Sequence, residues 1–337
     1  MKSENRKMLY LSDRQVESLV GAEDVLKLVE DSFREYAMGN AVNPIKLHLP
    51  IYPDYEGYIN SMPAYLRRLK IAGAKIVSVY RDNPSKFKLP STIGTVILHD
   101  PQTGCPYSVM GGTYITSART GAVMGVMAKY TARAGSSVLT VIGAGAQGFS
   151  AFQMIALALG TIEEVRLVDI NPAAQENFRQ RAKAVFPDIA YVDYKDIQTA
   201  CTGSDLALAA ATSEKPLLSG ITFDKGTTVL IIEEDFGNSF VKRFDHFVGD
   251  FRECLVERIN EDSKHHCQIT GEAFEALSMD AVSCEIGDII VGSCKGRESD
   301  DQIILAASVG MGIQDIIVAQ KAYQRAVDSA VGTVLEL

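Results

Sequence analysis

Long apolar runs are missing from this sequence. No stretch reaches the roughly 18 consecutive apolar residues that a membrane-spanning helix needs, so no membrane partner is expected. The opening residues, MKSENRKMLYLSDRQVESL, are polar and of mixed charge and lack the apolar core of a secretory leader, so a cytoplasmic protein is expected. Excess positive charge is missing too. Against 42 Asp and Glu stand 33 Lys and Arg, a net charge of −9, which argues against nucleic acid and anionic lipid as main partners. The six cysteines (Cys105, Cys201, Cys254, Cys267, Cys284 and Cys294) show no CxxC spacing and read as free thiols of a reducing compartment. His265, His266 and Cys267 are adjacent, cannot easily converge on one ion, and have no further ligand pair beside them, so no metal is expected. Repeats and low-complexity segments are absent.

What is present is ordinary in bulk and informative in order. With 47% hydrophobic and 22% charged residues, the composition is that of a globular protein, and 337 residues allow two domains. After Ser12 and Asp13, a plausible cap, apolar residues recur at helical spacing, which predicts one or two amphipathic helices. From Pro44 to Val109 short alternating runs punctuated by Gly and Pro predict antiparallel strands, with a hairpin turn at HDPQTGCP (His99 to Pro106). TSARTGAVMGVMAKYTARAG is helical in pattern. From about Ser136 to Ser308 apolar strands alternate with helices, one of them ended by Gly160 and the next carrying Pro172 in its first turn. That alternation predicts a parallel sheet covered on both faces, a doubly wound domain. The last long helix, GIQDIIVAQKAYQRAVDSA, is expected to pack back on the N-terminal part. The prediction is an α/β protein in which a domain of residues 119–311 is inserted into a discontinuous first domain of residues 1–118 and 312–337.

VIGAGAQG (Val141 to Gly148) sits between a predicted strand and a predicted helix. In that setting Gly143 permits a tight turn, Gly145 lets a pyrophosphate approach the backbone, and Gly148 allows helix and strand to pack closely. The helix start offers free N–H groups and the positive end of its dipole to phosphates. The next strand ends at Asp169, where an acid can hold a ribose diol. A carboxylate there repels a 2′-phosphate, and Ile170, Asn171 and Pro172 follow instead of an arginine, so NAD is expected rather than NADP.

Several motifs together, in order and spacing, make the chain resemble the ornithine cyclodeaminase/mu-crystallin family along nearly its whole length. They are MPAY (Met62 to Tyr65), GAKIVS around Lys75, VILHDPQTGCP, ITSARTGAVMGVMAKYTA around Arg119, VIGAGAQG, and the terminal GR…QIILAASVGMGIQD. The resemblance implies a homodimer whose first domain dimerises and holds substrate, a Rossmann domain, and a site in the cleft between them that uses NAD(P) on α-amino acids or their imines. It implies that Lys75 and Arg119 hold the substrate carboxylate, with Lys46 where the family has arginine, giving charge without a bidentate fork. Asp235 matches the catalytic aspartate. Ser91, Arg119, Thr120, Ala146, Gln147, Asp169, Thr212 and Ser308 match cofactor contacts, joined by Gly143 and Gly145, and Val309 matches a substrate contact. Two departures bear on substrate. Asn60 replaces the glutamate that receives the distal amine in ornithine cyclodeaminases, which argues against ornithine, and Ser239 replaces a lysine expected near the cofactor. RDNPSK (Arg81 to Lys86) is similar to wording in the branch that oxidises amino-acid conjugates in diaminopropionate synthesis.

The residues read by themselves agree in outline. Lys75 lies in an apolar run and needs a partner or a ligand carboxylate. Asp235 has acidic neighbours Glu233 and Glu234 that favour a raised pKa suited to proton transfer, so Asp235 or Lys75 is the expected acid/base. The expected activity is hydride transfer to or from the α-carbon of a small amino acid or its imine. The alternatives are a cyclodeaminase in which NAD is catalytic, oxidative cleavage of an N-linked amino-acid conjugate, and a non-catalytic NAD(P)H-binding protein.

Overall fold

The computed structural model describes residues 6–211, 216–232, 236–270 and 274–336, without the side chains of residues 262, 265, 266 and 268–270. Thr212 and Asp235, with Glu233 and Glu234, lie outside the described residues. The chain forms two compact units, one of residues 1–119 with 311–337 and one of residues 120–310.

The first unit starts with strand β1 (Lys7–Leu11) and helix α1 (Asp13–Leu19). Ser12 caps α1: its backbone N–H donates to the Gln15 side chain at 2.9 Å, and its hydroxyl accepts from the Gln15 N–H at 3.4 Å. Helix α2 (Ala22–Ala37) buries Val25, Val29 and Phe33. Strands β2 (Ala41–Val42), β3 (Leu47–Pro50), β4 (Tyr58–Leu66) and β5 (Ile71–Val79) follow, then the short α3 (Asn83–Lys86), β6 (Thr92–His99) and β7 (Pro106–Gly111). The turn between β6 and β7 is held by Asp100, whose Oδ1 accepts the N–H groups of Gln102 and Thr103, each at 2.9 Å. Helix α4 (Thr113–Thr131) carries the chain across the unit boundary.

The second unit holds β8 (Val138–Ile142), α5 (Ala146–Leu159), β9 (Glu164–Val168), α6 (Pro172–Val185), β10 (Ala190–Tyr194), α7 (Ile197–Cys201), β11 (Leu206–Ala209) and β12 (Thr228–Ile232). It continues through α8 (Asn238–Val241), β13 (His246–Gly249), α9 (Arg252–Thr270), β14 (Cys284–Glu285), α10 (Ile286–Val291) and β15 (Ile304–Ser308). Helix α11 (Gly312–Asp328) and β16 (Thr333–Glu336) return to the first unit.

In the second unit all strand pairs are parallel, in the order β10-β9-β8-β11-β12-β15-β13-β14. Every residue of β11 and β15 is buried, as apolar strands covered on both faces require. The order reverses between β8 and β11, so the loop after β8 opens at the switch point where doubly wound sheets bind ligands. Gly160, at φ 66°, ends α5 in the left-handed conformation that only glycine adopts cheaply.

The first sheet runs β16-β1-β7-β6-β5-β4-β2, with β3 also on β4. Strands β3 to β7 are antiparallel as the alternation predicts, but β1 joins β7 in parallel and pairs with β16. Helix α11 packs on β4, β5 and β6 and on α2. Lys75 and Val77 point toward that helix layer and are buried, whereas Ile76 points away and is exposed. Direct opposition puts Leu47, Ser61, Ile76 and Thr95 in one outward row, and Leu49, Ile59, Ser78 and Ile93 in the next. This outer face therefore exposes Leu47, Leu49, Ile76 and Ile93, with Leu47 at 69% exposure.

One expectation fails on the cysteines. Cys284 and Cys294 are joined as a disulfide, whereas Cys105, Cys201, Cys254 and Cys267 are free thiols. The ten-residue spacing hides this pair, because α10 folds the chain back and brings their Cα atoms to 6.5 Å. Among the described residues no helix is long and apolar enough to cross a membrane.

Candidate functional site

The first unit buries a knot of charge. Lys75, in the middle of β5, has no exposed surface, and its Nζ donates to Asp315 Oδ1 at 2.8 Å. Arg119, in α4, donates from Nε to the same oxygen at 3.0 Å and from Nη1 to Gln314 at 3.4 Å. Asp315 lies in the first turn of α11, where the helix dipole favours an anion. Lys46, just before β3, is also buried and close enough to disfavour a second charge on Lys75. One carboxylate oxygen thus serves two buried basic side chains, with a third base nearby. Burial first, then the Arg119 guanidinium, outweigh the attraction of Asp315 and pull the Lys75 ammonium down from its ordinary value to about 7.

The knot is also unfinished. Among the described residues Asp315 Oδ2 and Gln314 Nε2 are buried with no hydrogen-bond partner, and such groups are costly unless something satisfies them. Asn60 lies on the same inward sheet face, opposite Val77, and its Oδ1 meets His48 Nδ1 at 2.8 Å. Ser91 is exposed at the start of the β6 segment, and its carbonyl accepts the Tyr80 N–H at 2.8 Å.

In the second unit the turn after β8 can be tested for a dinucleotide. Gly143 has φ +99°, and a Cβ there would lie 2.7 Å from the Ala211 nitrogen. A Cβ on Gly148 would sit 1.9 Å from the Gly143 carbonyl oxygen, so only glycine lets α5 approach the strand end this closely. Around Gly145 nothing lies within 4 Å, and both Gly145 and Ala146 are exposed, which leaves room for a phosphate at the start of the helix. Gln147 Oε1 is buried without a partner among the described residues. Asp169 ties the turn to β9: Oδ2 accepts the Ala144 N–H at 2.7 Å, and Oδ1 accepts that of Asn171 at 2.8 Å. Ile170 beside it is fully exposed, an apolar surface suited to the flat face of a base. The open turn, the orphaned amide oxygen and the acid at the end of β9 fit an NAD-type dinucleotide.

A third feature is the end of β15. Asp250 is fully buried, and its Oδ2 accepts from the Ser308 hydroxyl at 2.6 Å and from the Val309 and Gly310 N–H groups at 3.1 and 2.7 Å. Burial pushes its carboxyl upward against the pull of these donors. Thr120, at the start of this unit, is buried in α4.

A model of the ornithine cyclodeaminase/mu-crystallin family matches residues 6–330. The chain belongs to this family. It is 32% identical to an alanine dehydrogenase of Archaeoglobus fulgidus, over 96% of this chain and 97% of that protein. It is 30% identical to the N-((2S)-2-amino-2-carboxyethyl)-L-glutamate dehydrogenase of Staphylococcus aureus, over 99% of each. The solved structure of Delta(1)-pyrroline-2-carboxylate reductase from Thermococcus litoralis, in complex with NADH and L-proline, superposes with a TM-score of 0.87 at 30% identity, covering 97% of this chain and 99% of that one.

Against the family motifs, the structure gathers Lys75 and Arg119 on one carboxylate with Lys46 near Lys75, and puts Asn60 on the sheet face of Lys75. It places Gly143, Gly145, Ala146, Gln147 and Asp169 at one turn, and Ser308 and Val309 at one strand end. The family reading of the sequence omitted Asp315, Gln314 and Asp250. The signal for Asp315 was there: an acid inside the apolar segment GMGIQDIIVA needs a buried cation. Of the charged RDNPSK stretch, Asp82 and Lys86 spend their charge on each other at 2.5 Å on the surface. Ser239, standing where a lysine was expected, donates to Glu275 at 2.5 Å.

Proposed function

We propose that this protein is an NAD-dependent oxidoreductase that transfers hydride to or from the α-carbon of a small amino acid or its imine. The observation that carries the reading is the buried knot in which Lys75 and Arg119 share one oxygen of Asp315, with Lys46 nearby and, among the described residues, nothing on the other oxygen. Two buried bases on a single carboxylate, closed to bulk water, form a receptor for a small anion, and the α-carboxylate of an amino acid is such an anion.

Bound NAD supplies the hydride acceptor, and NADH the donor. It is held by the turn of Gly143, Gly145, Ala146 and Gln147, by Asp169, and by Ser91, Thr120, Thr212 and Ser308. Asp169 followed by the apolar Ile170 favours NAD over NADP. Arg119 and Lys75 orient the carboxylate, Lys46 adds charge, and Asn60 and Val309 bound the side-chain end. Lys75, at about 7, can hold or release a proton near neutral pH, so it shares with Asp235 the task of moving a proton at nitrogen or water. Asp315 is a positioning residue that anchors both Lys75 and Arg119. The apolar rows on the outer face of the first sheet support a homodimer through that face, and use of NAD, a cofactor of the cell interior, favours the cytoplasm.

The test is an NADH-oxidation screen over 2-oxo acids with ammonia or methylamine and over cyclic imines, run in reverse with amino acids and conjugates. Turnover in either direction with a carboxylate-bearing substrate is expected. Tight NADH binding without net turnover on any of them overturns the dehydrogenase reading in favour of a cyclodeaminase or a binding protein. A second reading, oxidation of an N-linked amino-acid conjugate, is favoured by the Staphylococcus aureus relative and by Asn60, a neutral group where a glutamate for a distal amine is otherwise found. Conjugates in the reverse screen separate it from the first.

A further inference from the structure

The chemistry proposed above leaves His246, Cys284 and Cys294 unused, and they converge. His246 opens β13, Cys284 opens β14, and Cys294 lies in the turn after α10. One ligand atom from each, the imidazole nitrogen and the two sulfurs, lies within 4.8 Å of the others. The imidazole hydrogen-bonds to the backbone of Lys295, next to Cys294, while its Nε2 is buried with no partner among the described residues. A backbone hydrogen bond on a histidine ring is the usual way to orient it as a metal ligand.

The disulfide satisfies the two sulfurs and leaves the imidazole Nε2 without a partner among the described residues. A metal ion satisfies all three. The geometry points to a Cys2His site for a borderline-soft divalent ion of the zinc class, formed when the cysteine pair is reduced, with the fourth position left to water. Two thiolates balance the charge of the ion, so the half-buried site needs no further counter-charge, and sulfur with imidazole selects zinc-class ions over magnesium or calcium. Reduction by a phosphine takes the disulfide to two thiols while water supplies the oxygen of the phosphine oxide. The incoming ion then displaces both thiol protons.

The site is remote from the glycine turn. It lies at the starts of β13 and β14, at one edge of the sheet, whereas the turn follows the end of β8, four strands away in the order. Its effect is therefore on the packing of β13, β14 and the α10 turn. Nothing in this inference depends on the proposed oxidoreductase activity.

The experiment uses the whole chain, reduced with a phosphine and with free thiols counted, titrated with Co2+ and then Zn2+. One Co2+ per chain with a thiolate-to-cobalt charge-transfer band, bleached by one Zn2+, is expected, and Zn2+ is expected to raise the Tm of the reduced chain. The C284S and C294S substitutions are expected to abolish the band, and His246→Ala to weaken cobalt binding at least tenfold. If the reduced wild-type chain, with all six thiols free, gives no band with stoichiometric Co2+, the pair is a disulfide only and the inference fails. A band that survives C284S with C294S, or a cobalt affinity unchanged in His246→Ala, overturns it equally.

Discussion

Lys75 and Asp169 are the ionisable centres of the two units, and they are held in opposite ways. Lys75 has no exposed surface, shares a single carboxylate with Arg119, and sits about where neutral pH removes its charge. Asp169 is partly exposed and has two backbone N–H partners, one on each oxygen. The first arrangement holds free energy in reserve until an anion arrives; the second is satisfied already and offers shape more than charge. A small carboxylate needs strong fields to be held, whereas a large dinucleotide gains its affinity from many weak contacts, so each unit is built for the size of what it is proposed to bind.

The sharpest way to break this contrast is Lys75→Met. Losing one partner of a buried charge set costs roughly 2–5 kcal/mol, so kcat/KM is expected to fall about 30- to several-thousand-fold. NADH affinity, followed by fluorescence, should stay the same. Tm should fall, because removing one member of a buried ion-pair set leaves Asp315 with Arg119 alone, and breaking such a set is destabilising. A parallel loss of NADH binding would show that the two sites are not independent.

Gly148→Ala attacks the other unit. Its Cβ would meet the Gly143 oxygen at 1.9 Å, an overpacking that typically costs about 1–3 kcal/mol. Differential scanning calorimetry should record a lower Tm together with weakened NADH binding.

The third effect is a dependence on pH. Carboxylate binding favours protonated Lys75, whose folded value of about 7 lies well below its unfolded one. Affinity for the carboxylate substrate is therefore expected to be greatest below pH 7 and to weaken by up to about tenfold per pH unit above it, until the pKa of the liganded state is reached. For stability the sign is opposite. The unfolded chain binds the extra proton between about 7 and about 10.4, so the Lys75 contribution to stability rises with pH across that window and its cost is full below it. A flat KM profile from pH 6 to 9 would remove Lys75 from the carboxylate site.

The smallest effect is expected at Asp169→Asn. One charge-assisted hydrogen bond is worth about 1.5 kcal/mol or somewhat more, so NADH should bind about tenfold more weakly, and the preference over NADPH should narrow. Kd values for both nucleotides check it.

Much of this was legible beforehand, and the reasons are local. The glycine turn, the Gly160 stop, the Pro172 start and the Asp100 turn each depend on the chemistry of a few neighbouring residues. Strands β1 and β16 were not legible, being short segments paired with each other across the whole chain. Asp315, Asp250 and the Cys284–Cys294 pair escaped for one shared reason: a buried polar group is recognisable only with its partner, and the partners are 240, 58 and 10 residues away.

The return of α11 to the first unit has a consequence for biosynthesis. Translation at roughly 5–20 residues per second favours domains folding as they emerge, and residues 120–310 form a contiguous block that can do so. The first unit cannot. Its sheet lacks β16, its helix layer lacks α11, and Lys75 and Arg119 lack Asp315 until the final segment leaves the ribosome. Through all that time two basic side chains destined for the core have no acid to meet. The unit emerging first is thus the last to finish, and a nascent chain halted before Met311 would carry the complete glycine turn and an open carboxylate site.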